Sequence, residues 1–390
     1  MALPSLPLPG APAPGALRLS RVLGDRPVAQ ILLFVAVCTV IGLLGHTMAG
    51  NMARVGITPG FGFLARPTNF EIGESFIAYS STSSFGRAIL VGLINTLVVS
   101  AAGCVIATVL GVALGIARLS DNPLLAGAVK AYVELIRNTP LLLQLFFWSA
   151  TLHALPAPRQ ALTPLPGVLL TNRGLYIPAL RFDSDTVGWV AIGVPVAALV
   201  VGFVLRRRGW SRPSATGLGL ALLLVGVGLS LHGDARVDLP ALKGFNITGG
   251  LSLTPEFAAL LIGLFVNASA LIAEIVRSGI QSVPRGQWEA GRAVGLGNGQ
   301  IMRLIVLPQA LRVITPLMTS SYLSLTKNSS LAVAIGYPDL VNIINTTANQ
   351  TGQALEAIMT MVAIYLAISA AVSLAMNQYN ARQALKGLQR

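Results

Sequence analysis

Long apolar runs separated by shorter polar segments set the pattern of this chain. Each run is on the order of 20 residues, the length a helix needs to cross a bilayer, and none shows the ~10-residue alternation of a barrel strand. The runs extend from about Gln30 to Met48, Ile89 to Ala117, Leu124 to Leu152, Val187 to Leu205, Gly217 to Leu231, Phe257 to Val276, Leu311 to Gly336 and Leu355 to Met376. The pattern predicts eight transmembrane helices, the fifth short and Gly-rich, the seventh kinked near Pro316. The second run carries Ser100, Gly103, Gly111 and Gly115, small residues that let helices approach closely in lipid. Between the runs, residues 51–87 read as a polar loop. Residues 154–186 hold five prolines and read as an irregular loop, and 233–254 read as a polar connection.

Composition supports a membrane chain: 54% of residues are hydrophobic and only 11% charged, against about 25% charged in a soluble domain. The net charge of +13 would suggest nucleic acid in a soluble protein. Here the basic residues cluster at the ends of apolar runs, so they report topology and no nucleic-acid partner is expected. With eight spans both termini lie on one side. The segments on that side hold sixteen Lys and Arg, among them Arg206, Arg207 and Arg208, and the longer loops opposite hold eight. The positive-inside rule puts both termini in the cytoplasm. Residues 1–16 are Pro-rich and uncharged, a flexible tail, and Arg18, Arg21 and Arg26 precede a first helix that reads as retained. Cys38 and Cys104 both fall inside apolar runs, which argues against a disulfide or a zinc site, and His46, His153 and His232 stand apart.

A polar, carefully spaced stretch between two spans is EAGRAVGLGNGQIMRLIVLP, residues 289–308. Pro284 can open a short helix, because its missing N–H would have no partner there. Residues 286–294 allow two to three turns, after which Gly295, Gly297 and Gly299 permit a sharp reversal. A short helix held stiffly between two spans is a lever. Glu289-Ala290, then Gly295, then Ile305, Leu307 and Pro308 resemble the EAA loop of the membrane permeases of ATP-binding-cassette (ABC) importers, in register over all twenty positions. One departure is Gly291 in place of a third Ala, which by propensity loosens the helix by about 1 kcal/mol. The resemblance implies that Glu289, Ala290, Gly295, Ile305, Leu307 and Pro308 form the ATPase-coupling element.

Four further stretches are similar to the polar amino acid group of these permeases, the histidine/glutamine/arginine/opine family. They are NTLVVSAAGCVIATVLGVALGIARLS, YVELIRNTPLLLQLFF, AEIVRSGIQSVPRGQWEA and LTKNSSLA. In the last of them, Asn328 stands where the family often has an acidic residue. The whole chain resembles one permease subunit of the general L-amino-acid importers of Gram-negative bacteria. The fold this implies is an all-α membrane protein of about eight transmembrane helices, a type I ABC importer (MetI-like) permease core with an extra N-terminal helix and an inserted helix pair. The expected organisation is a basic N-terminal tail (1–29), a first helix (30–50), two parts of the core (85–152 and 255–380) and a basic tail (381–390). An insertion of outer loops and two helices occupies 153–254, and the coupling loop 284–308. The implied partners are a second permease subunit, ATP-binding ATPase subunits, a periplasmic amino-acid-binding protein and the lipid bilayer of the bacterial inner membrane. No cofactor is expected on this chain; ATP and Mg belong to the partner ATPase.

The sequence offers two other candidate groups. Lys130, Glu134 and Arg137 share one helical stripe, followed by Asn138 and Pro140. Charges at membrane depth face protein, water or a partner, so Glu134, Arg137, Asn138 and Pro140 form either a gate or pathway element or an internal ion pair with snorkelling ends. Lys327, Asn328, Ser329 and Ser330 form a polar cluster late in the seventh span. Lys327 is suited to a carboxylate and its neighbours to neutral hydrogen bonds, unless they only join helices. Asn267 and Glu274 are weaker candidates of the same kind. No P-loop, H-E-x-x-H or nucleophile elbow occurs, and GLGNG at 295–299 lacks dinucleotide spacing, so enzyme activity is not expected. The rival reading is a secondary transporter or channel for a small polar solute, acting without an ATPase.

Overall fold

A computed structural model describes residues 27–54, 56, 60–182 and 235–388. Helix α1, Pro27–Arg54, is apolar on all sides and buries none of its membrane-length window within the chain. An all-round apolar surface that none of the other described residues covers is what lipid accommodates. A 3-10 turn at Phe61–Ala65 then leads to α2, Phe85–Ala117, started by the Ser84 hydroxyl, which accepts from the Arg87 N–H. Asn122 caps α3, Pro123–Asn138, with its side-chain oxygen on the Leu124 and Leu125 amides.

The run read as one span over 124–152 is divided. Helix α3 stops at Asn138 and α4 runs Leu141–His153, with Thr139 and Pro140 extended between them. Proline has no N–H for the Ile136 carbonyl. The buried Gln144 side chain replaces it, donating to the carbonyls of Ile136 and Thr139, both at 3.0 Å.

Beyond α4 the stretch expected to be an irregular loop contains sheet. Strands β1 (Leu162–Leu165), β2 (Val168–Thr171), β3 (Gly174–Ile177) and β4 (Ala179–Phe182) precede the segment outside the described residues. Strands β5 (Ala235–Asp238), β6 (Ala241–Lys243), β7 (Asn246–Thr248) and β8 (Leu251–Leu253) follow it. An antiparallel sheet in the order β1-β2-β3-β8 and two pairs, β4-β5 and β6-β7, satisfy the backbone. The two helices expected at 187–205 and 217–231 lie outside the described residues.

Helix α5, Pro255–Gln281, is capped by Thr254 and is the centre of the bundle: more than half of its most apolar window is buried. It meets α2 at backbone distance. A Cβ on Gly111 would lie 2.6 Å from Ile272 Cβ, and one on Gly115 would lie 2.8 Å from both Val276 Cβ and the Ala273 carbonyl. No larger residue permits this approach, which is how packing joins helices where lipid removes the hydrophobic drive. After α6 (Arg285–Ala293) and α7 (Asn298–Ile301), a π-turn at Met302–Val306 runs directly into α8, Leu307–Asn328. Pro316 stays inside α8, and a 3-10 segment, Ser329–Ile335, continues it to Gly336. The sequence reading assigned nothing to the next stretch, yet α9, Leu340–Thr351, is present. It buries Leu340, Ile343, Ile344 and Thr347 along one stripe. Helix α10, Ala354–Leu388, is the last described element. Among the described residues five helices are long and apolar enough to cross a membrane.

Candidate functional site

The segment between α5 and α8 is built around two glycines. Residues 285–293 form α6 as the sequence suggests, with Pro284 just before it. Its end is a left-handed cap: Gly295 has φ +80°, its N–H bonds the Arg292 carbonyl, and the Leu296 N–H reaches back to the Gly291 carbonyl. Those two bonds define a Schellman stop, with Gly295 at the position that takes positive φ. Gly297 and Gly299 do not share this role: Gly297 is extended at the start of α7 and Gly299 lies within it.

Gly291 corrects the expectation of a looser helix. It is the one buried position of α6, and a Cβ there would sit 2.9 Å from Ile301 Cγ1 and 3.1 Å from Ile305 Cδ1. Ile301 is itself fully buried. The missing methyl lets α6 seat on the α7 turn, a packing role in place of a propensity cost. Trp288, Leu296 and Ile305 also pack partly into the core. Glu289 and Ala290 point outward, and Val294 leaves a largely exposed apolar side chain. Among the described residues Glu289 has no ion-pair partner. At the exit, Leu307 and Pro308 start α8 with exposed side chains, and the Gln309 amide joins Gln287 of α6 to the Ile305 carbonyl.

The charged stripe on α3 does not act as one unit. Lys130 and Glu134 pair with each other at 3.8 Å on an exposed face, and Asn138 ends the helix, also exposed. Arg137 instead lies 3.9 Å from Glu274 of α5, which is also bonded by Arg118 and Arg277. Glu274, a weaker solute-contact candidate by sequence, is therefore the centre of an arginine cluster. Arg118, Arg277 and Gln144 were not singled out from sequence, because their partners are distant in the chain or across a helix break.

The polar cluster at the end of α8 is also divided. Lys327 and Ser330 line a cavity of about 480 Å³ together with Val341, Met361, Tyr365 and Ser369. Asn328 faces another crevice with Asn267, Ser321 and Ser324. Ser329 is buried and donates to the Thr326 carbonyl. Among the described residues Lys327 has no carboxylate partner. Tyr365 is within electrostatic reach of Asp339, which caps α9 by accepting from the Asn342 N–H. The second Asp339 oxygen is buried without a partner, and burial pushes its carboxyl up to about 7. Nearby Tyr337 is also raised by burial. At Glu74 burial outweighs the hydrogen bond from Thr254, which acts to lower it.

Residues 107–385 match the family described as the binding-protein-dependent transport system inner membrane component. The putative amino-acid ABC transporter permease protein YhdX of Escherichia coli is 46% identical over 91% of this chain and 93% of its own length. The general L-amino acid transport system permease protein AapQ of Rhizobium johnstonii is 43% identical over 91% of each. The glutamate/glutamine/aspartate/asparagine transport system permease protein BztB of Rhodobacter capsulatus is 36% identical, over 96% of this chain and 98% of its own. With its matched region spanning the core helices and the loop built on Gly291 and Gly295, the chain belongs to the family of inner membrane components of binding-protein-dependent transport systems.

Proposed function

We propose that this chain is a permease subunit of an ATP-driven importer of L-amino acids, and that α6 is the element through which a separate ATPase moves it. The observation that carries the reading is α6 itself: its outer residues are exposed, while Gly291, Trp288 and the Gly295 stop hold it rigidly against α7 and α8. In this reading Glu289 and Ala290 face the ATPase, Gly295 and Ile305 keep the helix seated, and Leu307 and Pro308 pass its displacement into α8. ATP and Mg are held by the ATPase, both termini are cytoplasmic, and a second permease completes the path. A periplasmic amino-acid-binding protein delivers the solute. Transport then follows from the different affinities of ATP for the two states of the ATPase pair.

The solute class is supported by the names of the three relatives and by the chemistry of the cavity. One ammonium with no carboxylate partner among the described residues, hydroxyls at Ser330 and Ser369, and an apolar remainder suit a small solute that carries a carboxylate. Lys327 is the proposed carboxylate partner; Asn328 and Ser329 are not proposed to share that cavity.

The test is a mild-detergent purification of the tagged full chain, followed by uptake in vesicles. Recovery of an ATPase and a second permease, with uptake of labelled L-amino acids only when ATP and a binding protein are supplied, is the expected result. Uptake by the chain alone in ATP-free vesicles would overturn the proposal in favour of a secondary carrier.

A further inference from the structure

The cluster on Glu274 is unbalanced in charge. Three guanidinium groups from three helices, Arg118 after α2, Arg137 in the last turn of α3 and Arg277 in α5, share one carboxylate. Their hydrogen bonding is unequal. Arg277 donates twice to Glu274 and once to Gln281, and Arg118 donates once to Glu274. Arg137 lies 3.9 Å from the carboxylate, with 43% of its side chain exposed, and among the described residues donates no hydrogen bond. A guanidinium offers five N–H donors in a planar fork. The cluster therefore presents two uncompensated positive charges and an idle fork.

Its position in the fold narrows what could answer that charge. Arg118 follows the last residue of a membrane-length helix, so the cluster lies at headgroup depth, at the end of the bundle where α5 leads to α6. Ile116 and Leu135, one helical face away from Arg118 and Arg137, are apolar and more than half exposed, as expected of helices whose outer faces meet acyl chains. The partner of matching chemistry there is a phosphate on a lipid. Its oxygens accept paired N–H donors from an arginine fork, and its fixed negative charge neutralises the excess. Basic pockets between helices at a membrane surface bind anionic headgroups for this reason. We propose that Arg118, Arg137 and Arg277 form a binding site for the phosphate of an anionic phospholipid. Glu274 sets the three guanidinium groups in place, and Arg137 is the main donor to the lipid. A headgroup with two phosphates neutralises the site with one molecule, so cardiolipin binds in preference to phosphatidylglycerol.

The test uses the full transporter complex, purified in mild detergent and then exchanged into nanodiscs of phosphatidylcholine with a minor fraction of cardiolipin. Lipid retained after re-extraction is counted by mass spectrometry. Arg137→Gln changes an exposed side chain and is expected to leave the complex assembled while reducing retained cardiolipin at least threefold, with phosphatidylcholine unchanged. Arg118→Gln gives a similar loss, and Lys130→Gln, which removes an exposed charge already paired with Glu134, gives none. Equal cardiolipin retention by wild type and Arg137→Gln overturns the proposal. So does binding of inorganic phosphate to the delipidated complex that Arg137→Gln abolishes without affecting lipid, which would make this a soluble-anion site. Loss of the second permease from Arg137→Gln with lipid retained would make the cluster a protein interface instead.

Discussion

Gly295 allows the coupling proposal to be tested by backbone strain alone. Its φ of +80° lies in the left-handed region, and no heavy atom lies within 4 Å of where a Cβ would stand. Substitution there adds no clash, so its cost is conformational. An L side chain in this region costs about 1–2 kcal/mol, less for Asn, whose side chain can bond locally, and more for a β-branched residue. At about 1 kcal/mol, alanine shifts the balance between the closed and opened cap roughly fivefold, and valine shifts it further. The strain falls on the two bonds that stop α6, Gly295 N–H to Arg292 and Leu296 N–H to Gly291, and not on the spans. Uptake of labelled amino acid, normalised to permease in the membrane, should therefore fall in the order Gly, Asn, Ala, Val. The amount of ATPase co-purifying should follow the same order. Wild-type uptake by Gly295→Val at equal expression, or an Asn variant weaker than Val, would refute the reasoning, because neither outcome is compatible with a cap limited by φ.

Four further expectations concern stability, each read as the thermal midpoint of the detergent-purified protein. Gly111→Ala drives a methyl to 2.6 Å from Ile272 Cβ and 2.9 Å from the Ser269 carbonyl; overpacking of this kind costs about 1–3 kcal/mol. Gly127→Ala in α3, where nothing lies within 4 Å, should instead leave the midpoint unchanged or raise it. Gln144→Leu leaves the Thr139 carbonyl without its side-chain donor and the Ile136 carbonyl with only the Thr139 N–H at 3.3 Å, at about 1–3 kcal/mol for the group left unpaired; an unchanged midpoint would mean the break at Pro140 is held by something else. Asp339→Asn keeps a capping residue but removes a carboxyl that burial raises from 3.8 to about 7, beside Tyr337, Tyr365 and, farther off, Glu74. The cost of ionising it is full above the raised value and fades as pH falls towards the ordinary one, so the Asn variant should be more stable at pH ~8, by up to a few kcal/mol, and equal to wild type near pH ~4; a gain that does not change with pH would show that Asp339 is not the titrating group.

How much of this was legible in the sequence depended on the length scale of each signal. A membrane span writes itself in some twenty consecutive residues, so the helices that became α1, α2, α5, α8 and α10 were readable with ends misjudged by a few residues or, at the C-terminus of α10, about a dozen. Helix α6 was readable because Pro284 and Gly295 mark its ends chemically. The strands of the 153–254 insertion were not, since segments of three or four residues carry no measurable period and β3 pairs with β8 across more than seventy residues. Helix α9 was missed because its stripe is short and half polar, although Asp339 and Gly352 mark its two ends. The candidate sites divided along the same line. Local spacing found the residues of α6. It could not show that Asn328 and Lys327, adjacent in sequence, face different cavities, or that Arg118 and Arg137 converge on Glu274 from separate helices. It also misjudged Gly291, because propensity describes an isolated helix and Ile301 lies ten residues away.

A short helix outside the membrane moves spans only if both of its attachments are stiff, and the packing shows where that stiffness extends. At the entry, Val283 is buried and the Ser282 hydroxyl is bonded to the Gly279 carbonyl, so α5 passes to α6 without slack. At the exit, residues 298–335 form one continuous helical stretch, and Gln309 ties its first turns back to α6. Above the loop, a Cβ on Gly279 would stand 2.3 Å from Ile314 Cγ1, which presses α5 onto α8, while Gly111 and Gly115 press α2 onto α5. These close approaches join α2, α5 and α8, and in the proposed reading a displacement of α6 acts on the three together. Helix α10 packs on α8 and α9 but less deeply: only 6% of its most apolar window is buried. The cavity that holds Lys327 and Ser330 lies along the seam between those three helices and α10, lined from α8 on one side and by Met361, Tyr365 and Ser369 on the other. In the proposed reading, a lever acting on α6 reaches the seam at Lys327, which has no carboxylate partner among the described residues, and that seam is where a transported carboxylate would need access to change.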